Sequence, residues 1–353
     1  MRLAALLLAT GLYGLTLCQN QDNFFWLSYL RERWAGYNSF RGQDSVGSPG
    51  RECPLECDCL PSFPIAMYCD SRKLGHVPFV PSRMKYIYFQ NNQITSIQDG
   101  VFDNATDLAW IMLHRNLLST DNLGAKVFSN LLQLDRLYLD HNNLTRVPQG
   151  LPRSLRDLRL SNNRISKIQP ASFEGMANLS VLLLNDNSIE EVGGALKGLT
   201  SLLLLDISNN KLKKLPDSLP EGLQQLYLEF NGIGSIPSDF FQRFAKLQYI
   251  RLSNNKLTDE GIPSNTFNFS SLIELDLSYN KLQKIPPVST SLENLYLHAN
   301  QIKDFSVSSF CSVIDIMNFS QLRVLRLDGN ELAEGAVPAE AALCLRLAAI
   351  IDL

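Results

Sequence analysis

Six cysteines fall into two groups whose spacing suits disulfide chemistry. Cys53-x3-Cys57-x-Cys59-x9-Cys69 stands just ahead of a long repetitive region, and Cys311 and Cys344 flank the last unit of that region. The first four allow three pairings, and spacing alone does not choose among them. Cys311 and Cys344 read as a further bridge. A zinc site is the competing reading of the first group, but only His76 lies nearby as a nitrogen ligand, and an oxidising compartment favours disulfides. A second chemistry is carried by five Asn-x-Ser/Thr acceptors, Asn104, Asn143, Asn178, Asn268 and Asn318, which in a secreted chain take N-linked glycans. Catalytic chemistry has no such foothold. The chain contains no Gly-rich phosphate loop, no H-E-x-x-H and no G-x-S-x-G, and His76, His114, His141 and His298 are scattered. The expectation is a binding protein without enzymatic activity, cofactor or metal.

The compartment is indicated by the N-terminus. Arg2 and then the apolar run Leu3–Leu8, continuing to Leu17, read as a signal peptide over residues 1–18, with cleavage after Cys18. Loss of Cys18 leaves an even six cysteines. Residues 19–52 form a flexible N-terminal extension, in which Phe24-Phe25-Trp26 could pack on the cysteine-rich segment beginning at Cys53. No later segment reaches about 18 uninterrupted apolar residues, so no membrane anchor is expected. Removing Arg2 from the 32 Lys and Arg leaves 31 against 35 Asp and Glu, a charge near −4, which does not suit a nucleic-acid binder.

The elements that position these groups are written in one repeated pattern: apolar, two free positions, apolar, one free, apolar, two free, Asn, one free, apolar. Eleven copies begin at Met84, Leu108, Leu134, Leu155, Leu179, Leu202, Leu223, Leu247, Leu272, Leu292 and Leu322. Each places an Asn eight residues on, from Asn92 to Asn330. This is the leucine-rich repeat, so the fold class is an α/β solenoid, a horseshoe whose concave side is one parallel β-sheet. The Asn is expected to bridge backbone groups of neighbouring repeats. Starts are separated by 24, 26, 21, 24, 23, 21, 24, 25, 20 and 30 residues, and the short-long-long rhythm predicts extended convex segments in short units and a strand or helical turn in longer ones. Residues 53–83 read as an N-terminal cap closed by the first cysteines, and residues 84–353 as the solenoid.

Within each strand the side chains two, four and six positions after the start should face outward from the sheet. The resulting binding-face candidates are Tyr138, Arg159, Asp206, Tyr227, Glu229, Arg251, Asp276, Tyr296 and Arg326, joined by Glu331 in the final repeat. Tyr and Arg are enriched where binding energy concentrates, and the carboxylates could meet basic groups on a partner. At a strand spacing of about 4.8 Å the face spans roughly 50 Å, suited to an extended partner.

The cysteine cap, the repeat rhythm and the 30-residue interval before the last repeat, which carries Cys311, together resemble the small leucine-rich proteoglycans, in their keratan-sulfate class. The resemblance spans residues 53–353. It is carried by Phe79-Val80-Pro81-Ser82-Arg83-Met84-Lys85-Tyr86, Phe89-Gln90-Asn91-Asn92-Gln93-Ile94-Thr95-Ser96-Ile97, Leu137-Tyr138-Leu139-Asp140-His141-Asn142-Asn143-Leu144-Thr145 and Leu325-Arg326-Leu327-Asp328-Gly329-Asn330-Glu331. By that resemblance the cysteines pair as Cys53–Cys59, Cys57–Cys69 and Cys311–Cys344, and the last interval forms an "ear" in a disulfide-bonded C-terminal cap. The five acceptor asparagines would carry keratan sulfate or shorter polylactosamine. The protein would be secreted into the extracellular matrix, bind fibrillar collagen (type I among them) and regulate fibril assembly and diameter. Growth factors of the transforming growth factor β group are a further implied partner, which leaves a growth-factor-sequestering or receptor-binding module as the alternative function. Homodimerisation through the concave face is a third role. One departure stands out: the family's acidic, tyrosine-rich, sulfated arm is reduced here to Tyr29 and Tyr37, with Asp22, Glu32, Asp44 and Glu52 balanced by Arg31, Arg33, Arg41 and Arg51. That charge balance argues against strong sulfation.

Overall fold

The computed structural model describes residues 53–353 apart from Ile316 and Glu334. The signal segment 1–18 and the extension 19–52, with Tyr29, Tyr37 and Phe24-Phe25-Trp26, lie outside the described residues. Thirteen strands of three residues form one parallel sheet in strict chain order. They are β1 Ala66–Tyr68, β2 Tyr86–Tyr88, β3 Trp110–Met112, β4 Arg136–Tyr138, β5 Asp157–Arg159, β6 Val181–Leu183, β7 Leu204–Asp206, β8 Gln225–Tyr227, β9 Tyr249–Arg251, β10 Glu274–Asp276, β11 Asn294–Tyr296, β12 Val324–Arg326 and β13 Ile350–Asp352. The eleven pattern copies supply β2–β12. Two strands lie beyond the pattern, β1 in the cysteine cap and β13 near the C-terminus.

The local reason for each strand is the alternation around its middle residue. Ile87, Ile111, Leu137, Leu158 and their counterparts are fully buried, while their strand neighbours look outward. Immediately past each strand a second apolar side chain, Phe89 in the first repeat and Leu113 in the next, returns to the core. The residue seven after each start then has positive φ, among them Asn91, Arg115, Asn209, Phe230, Asn254 and Tyr279, with Gly329 (φ +71°) filling the position in the last repeat. This left-handed step turns the chain out of the sheet and sets up the asparagine next to it.

All eleven of those asparagines act alike. Asn255 donates from Nδ2 to the carbonyls of Leu252 (3.1 Å) in its own repeat and Leu228 (2.9 Å) in the preceding one, and its Oδ1 accepts from the Ile233 amide at 3.0 Å. Asn92 reaches back the same way into the cap, donating to the carbonyl of Cys69 and accepting from the amides of Arg72 and Leu74. Each amide satisfies backbone groups that strand pairing does not reach.

The convex layer is thin. Three one-turn 3-10 segments, Thr120–Asn122, Asp259–Gly261 and Val307–Ser309, fall in the three longest units, whereas the units of 23 and 24 residues carry in this layer neither the strand nor the helical turn expected of them. Buried phenylalanines fill this layer: Phe102 stacks on Phe128 at 6.2 Å, and Phe241 meets Phe267 at 5.9 Å. Both ends are stapled. Cys53 bonds Cys59 and Cys57 bonds Cys69, and an antiparallel bridge from Asp58 to Tyr68 covers the outer edge of β1. At the other end Cys311 bonds Cys344, at the end of the short helix Ala341–Cys344, while β13 forms the last strand and its three residues are exposed.

Candidate ligand-binding face

Strand register lines the outward side chains into rows that cross the whole sheet. One row runs Tyr68, Tyr88, Met112, Tyr138, Arg159, Leu183, Asp206, Tyr227, Arg251, Asp276, Tyr296, Arg326 and Asp352, each paired in register with the next. Eight of the ten candidates, all except Glu229 and Glu331, therefore stand in a single row. Glu229 lies two residues past β8, in the neighbouring column. Glu331 departs from the expectation that it shares this face. The chain has already turned at Gly329, so the Glu331 amide bonds the Ile302 carbonyl at 2.9 Å and its carboxylate faces Lys303 at 3.5 Å, beyond the strand.

The row is built from distinct clusters. On β4 and β5 the Tyr138 hydroxyl donates to Asp157 Oδ2 at 2.8 Å, and Arg159 grips the same carboxylate with Nε (3.1 Å) and Nη2 (2.9 Å). The guanidinium also lies 4.0 Å above the Tyr138 ring. Burial, reinforced by the Asp157 charge, pushes the Tyr138 hydroxyl pKa well up, so it stays a neutral donor. Arg159 keeps its charge: burial opposes it, but the Asp157 hydrogen bond and charge outweigh that penalty and raise its pKa. This is a rigid, charge-assisted group in which every member is partnered.

Next come Val181, Leu183 and Leu204, an apolar stretch half exposed at the middle of the sheet. Beyond it the face turns acidic. Asp206 Oδ1 accepts from the amide (2.9 Å) and hydroxyl (2.6 Å) of Ser208, and Asp276 repeats the motif with Ser278. Burial nevertheless raises the Asp206 pKa. Arg251 donates from Nε to Glu274 at 2.9 Å and lies 4.7 Å over Tyr227, whose hydroxyl bonds Gln225 and is pushed up to about 12 by burial. Glu229 sits among these groups with Oε2 buried and without a hydrogen-bond partner. Desolvation, helped by Asp206 and Asp276, raises its pKa to about 7 despite Arg251. At the C-terminal end Arg326 makes a bidentate pair with Asp328 (3.0 and 2.8 Å) and lies 3.6 Å from Asp352 of β13.

Residues of the cap and of the first three pattern copies extend the face. Tyr68 of the cap stacks on Tyr88 at 4.9 Å and Phe63 on Tyr86 at 5.6 Å, while Tyr86 meets Trp110 edge-on and Arg136 covers Trp110 at 4.4 Å. Ala66-Met67-Tyr68 shows no apolar and polar alternation, and all three residues are buried, so the pattern does not announce Tyr68. The glycan acceptors all lie off the strands. Asn104, Asn178, Asn268 and Asn318 are exposed, and Asn143 is half-buried with its backbone amide bonded to Leu118.

A continuous parallel sheet with an asparagine ladder, paired terminal cysteines and an outward row of Tyr, Arg and Asp defines a leucine-rich-repeat binding protein. Leucine-rich-repeat family models match residues 82–144, 153–215 and 221–259, and a two-copy model matches 270–310. Bovine fibromodulin is 55% identical over the full length of both chains, and Gallus gallus lumican is 49% identical over 88% of this chain and 92% of its own. The chain belongs to the small leucine-rich proteoglycan family of the extracellular matrix, with fibromodulin and lumican. Among solved structures, a chain of an octameric complex of Latrophilin 3, Unc5D and FLRT2 (LRR) superposes with a TM-score of 0.65 at 28% identity, covering 84% of this chain and 82% of that one.

Proposed function

We propose that the protein is secreted into the matrix, binds fibrillar collagens, type I among them, through its concave face, and regulates fibril assembly and diameter. The observation that supports this reading is the row from Tyr68 to Asp352, in which aromatic rings and both charge signs, broken only by Met112 and Leu183, cross thirteen register-locked strands. Collagen is a long, stiff assembly of extended chains, so a partner that meets it over many repeats needs an equally long and rigid face. Pre-formed clusters such as Tyr138–Asp157–Arg159 lose little freedom on binding. Glycans on Asn104, Asn143, Asn178, Asn268 and Asn318 would project from loops, leave that face open and hold neighbouring fibrils apart.

The test is collagen-I fibril growth followed by turbidity, with the secreted protein before and after enzymatic removal of N-glycans. Slower or reduced growth in both states places the activity in the solenoid, whereas unchanged kinetics at saturating protein would sink the collagen reading. In that event growth-factor sequestration, measured as saturable binding that survives soluble collagen, becomes the leading function. Sedimentation at micromolar and nanomolar concentrations tells a monomeric binder from a dimer that buries the same face.

A further inference from the structure

The unit beginning at Leu134 is 21 residues long and stands between units of 26 and 24. Its short convex segment leaves a notch of about 750 Å³, lined from three consecutive repeats. The floor is apolar, with Val147, Leu151 and Met176, and the walls are polar, with Gln149, Arg153, Lys167 and Gln169. Arg146 in this notch is held by Asp121 at 3.1 Å, but among the described residues Arg153 and Lys167 make no ion pair. The Arg153 side chain lies across Gly175, where φ is +77° and a Cβ would come within 2.6 Å of its Nε. Glycine there lets the guanidinium lie flat along the wall.

Asn178 ties a glycan to this place. Its Nδ2, the atom to which a sugar is attached, points back across the repeat boundary to the Arg153 carbonyl at 3.3 Å. A glycan rooted there starts at the rim of the notch. We propose that the notch is a glycan seat: it holds the inner sugars of an N-linked oligosaccharide on Asn178, with N-acetyl groups on the apolar floor and ring hydroxyls or acidic substituents on Arg153 and Lys167. This rests on the reading of Asn178 as an occupied acceptor. A cleft lined by both apolar side chains and cationic donors has the character of a small-ligand site, and tethering raises the local sugar concentration far above that of any free saccharide. The seat would fix this one chain against the convex side, unlike the glycan at Asn104.

The experiment uses the full-length protein secreted from mammalian cells. Glycopeptide mass spectrometry first measures occupancy at Asn178, and then follows release at each acceptor by peptide N-glycosidase under native conditions. The seat predicts release at Asn178 several-fold slower than at Asn104. An Arg153→Ala/Lys167→Ala variant should bring Asn178 up to the Asn104 rate without changing Asn104 or the thermal midpoint. A second measurement avoids that variant: hydrogen exchange over residues 167–176 should be several-fold faster in Asn178→Gln than in Asn104→Gln. Equal release rates at two occupied acceptors, or exchange unaffected by Asn178→Gln, would overturn the seat while leaving glycosylation intact. An unoccupied Asn178 would overturn both, and the first step reveals it.

Discussion

Asn254 and Asn255 are adjacent, chemically identical and physically unlike, so they separate the two roles that asparagine plays in each repeat. Asn255 is 8% exposed and serves one backbone amide and two carbonyls of two repeats. Asn255→Ala orphans the Ile233 amide, while the Leu228 and Leu252 carbonyls each lose one of two bonds and keep Asn231 and Asn280 as donors. That one buried orphan is worth about 1–3 kcal/mol and the two lost carbonyl bonds about 0.5–1.5 kcal/mol each, so the loss should be about 2–6 kcal/mol. Asn254 instead occupies the left-handed region at φ +54°. Asn254→Ala should cost about 1 kcal/mol, because alanine tolerates that conformation less well, while Asn254→Gly should be near neutral. Urea unfolding followed by circular dichroism, with equal slopes among the variants, measures all three. A loss under about 1 kcal/mol for Asn255→Ala, or equal losses for Asn254→Ala and Asn255→Ala, would refute the view that the amide bridge holds neighbouring repeats together.

Three further outcomes are expected. Phe230 holds the same left-handed position at φ +51° with its ring 56% exposed, so Phe230→Asn should stabilise the protein by about 0.5–1 kcal/mol, read as a higher urea midpoint. Glu229 binds its proton more tightly folded (about 7) than its ordinary value of 4.5, so its contribution to stability is full below pH 4.5 and is lost as pH rises toward 7. Glu229→Gln should therefore match the unaltered protein at about pH 4 and exceed it above about pH 7 by up to about 3 kcal/mol, measured by unfolding at both pH values. Cys311 and Cys344 are 33 residues apart, and replacing both by Ser should cost about 3–4 kcal/mol, detected as early proteolysis between residues 311 and 344 while the N-terminal repeats resist.

The scaffold was legible in the sequence wherever one residue type answers one physical need. Leu at the strand centre and Asn at the turn admit few substitutes, so β2–β12 and the outward columns could be assigned by counting. The terminal strands hid because their needs are met differently. In the cap, Cys69 takes the place of an apolar side chain, and the position of the ladder asparagine is Arg72, whose backbone amide is served by Asn92 of the next repeat. In β13 the pattern reduces to Ile351 and Leu353. The clusters are only half legible: counting from the strand starts turns both Tyr138 and Asp157 outward, but their hydrogen bond depends on the angle at which two strands present their side chains. Membership of the final repeat points Glu331 to the face, but the left-handed step at Gly329 turns the chain away before it is reached. The left-handed position itself is suggested by Asn91-Asn92, Asn162-Asn163 and Asn209-Asn210, but nothing in Phe230 or Tyr279 announces it.

The equal strands have a mechanical meaning. Thirteen strands of three residues meet at twelve like interfaces, and the solenoid axis runs across the strands, along the direction of the hydrogen bonds between them. Tension applied between the two ends is therefore carried in series, every interface bearing the full load and each with few bonds to resist it. Such a chain of links yields one junction at a time and re-zips when slack returns, because each repeat depends only on its neighbours. Pulled from its two ends, the solenoid would therefore lengthen junction by junction, with the disulfides holding only the terminal units.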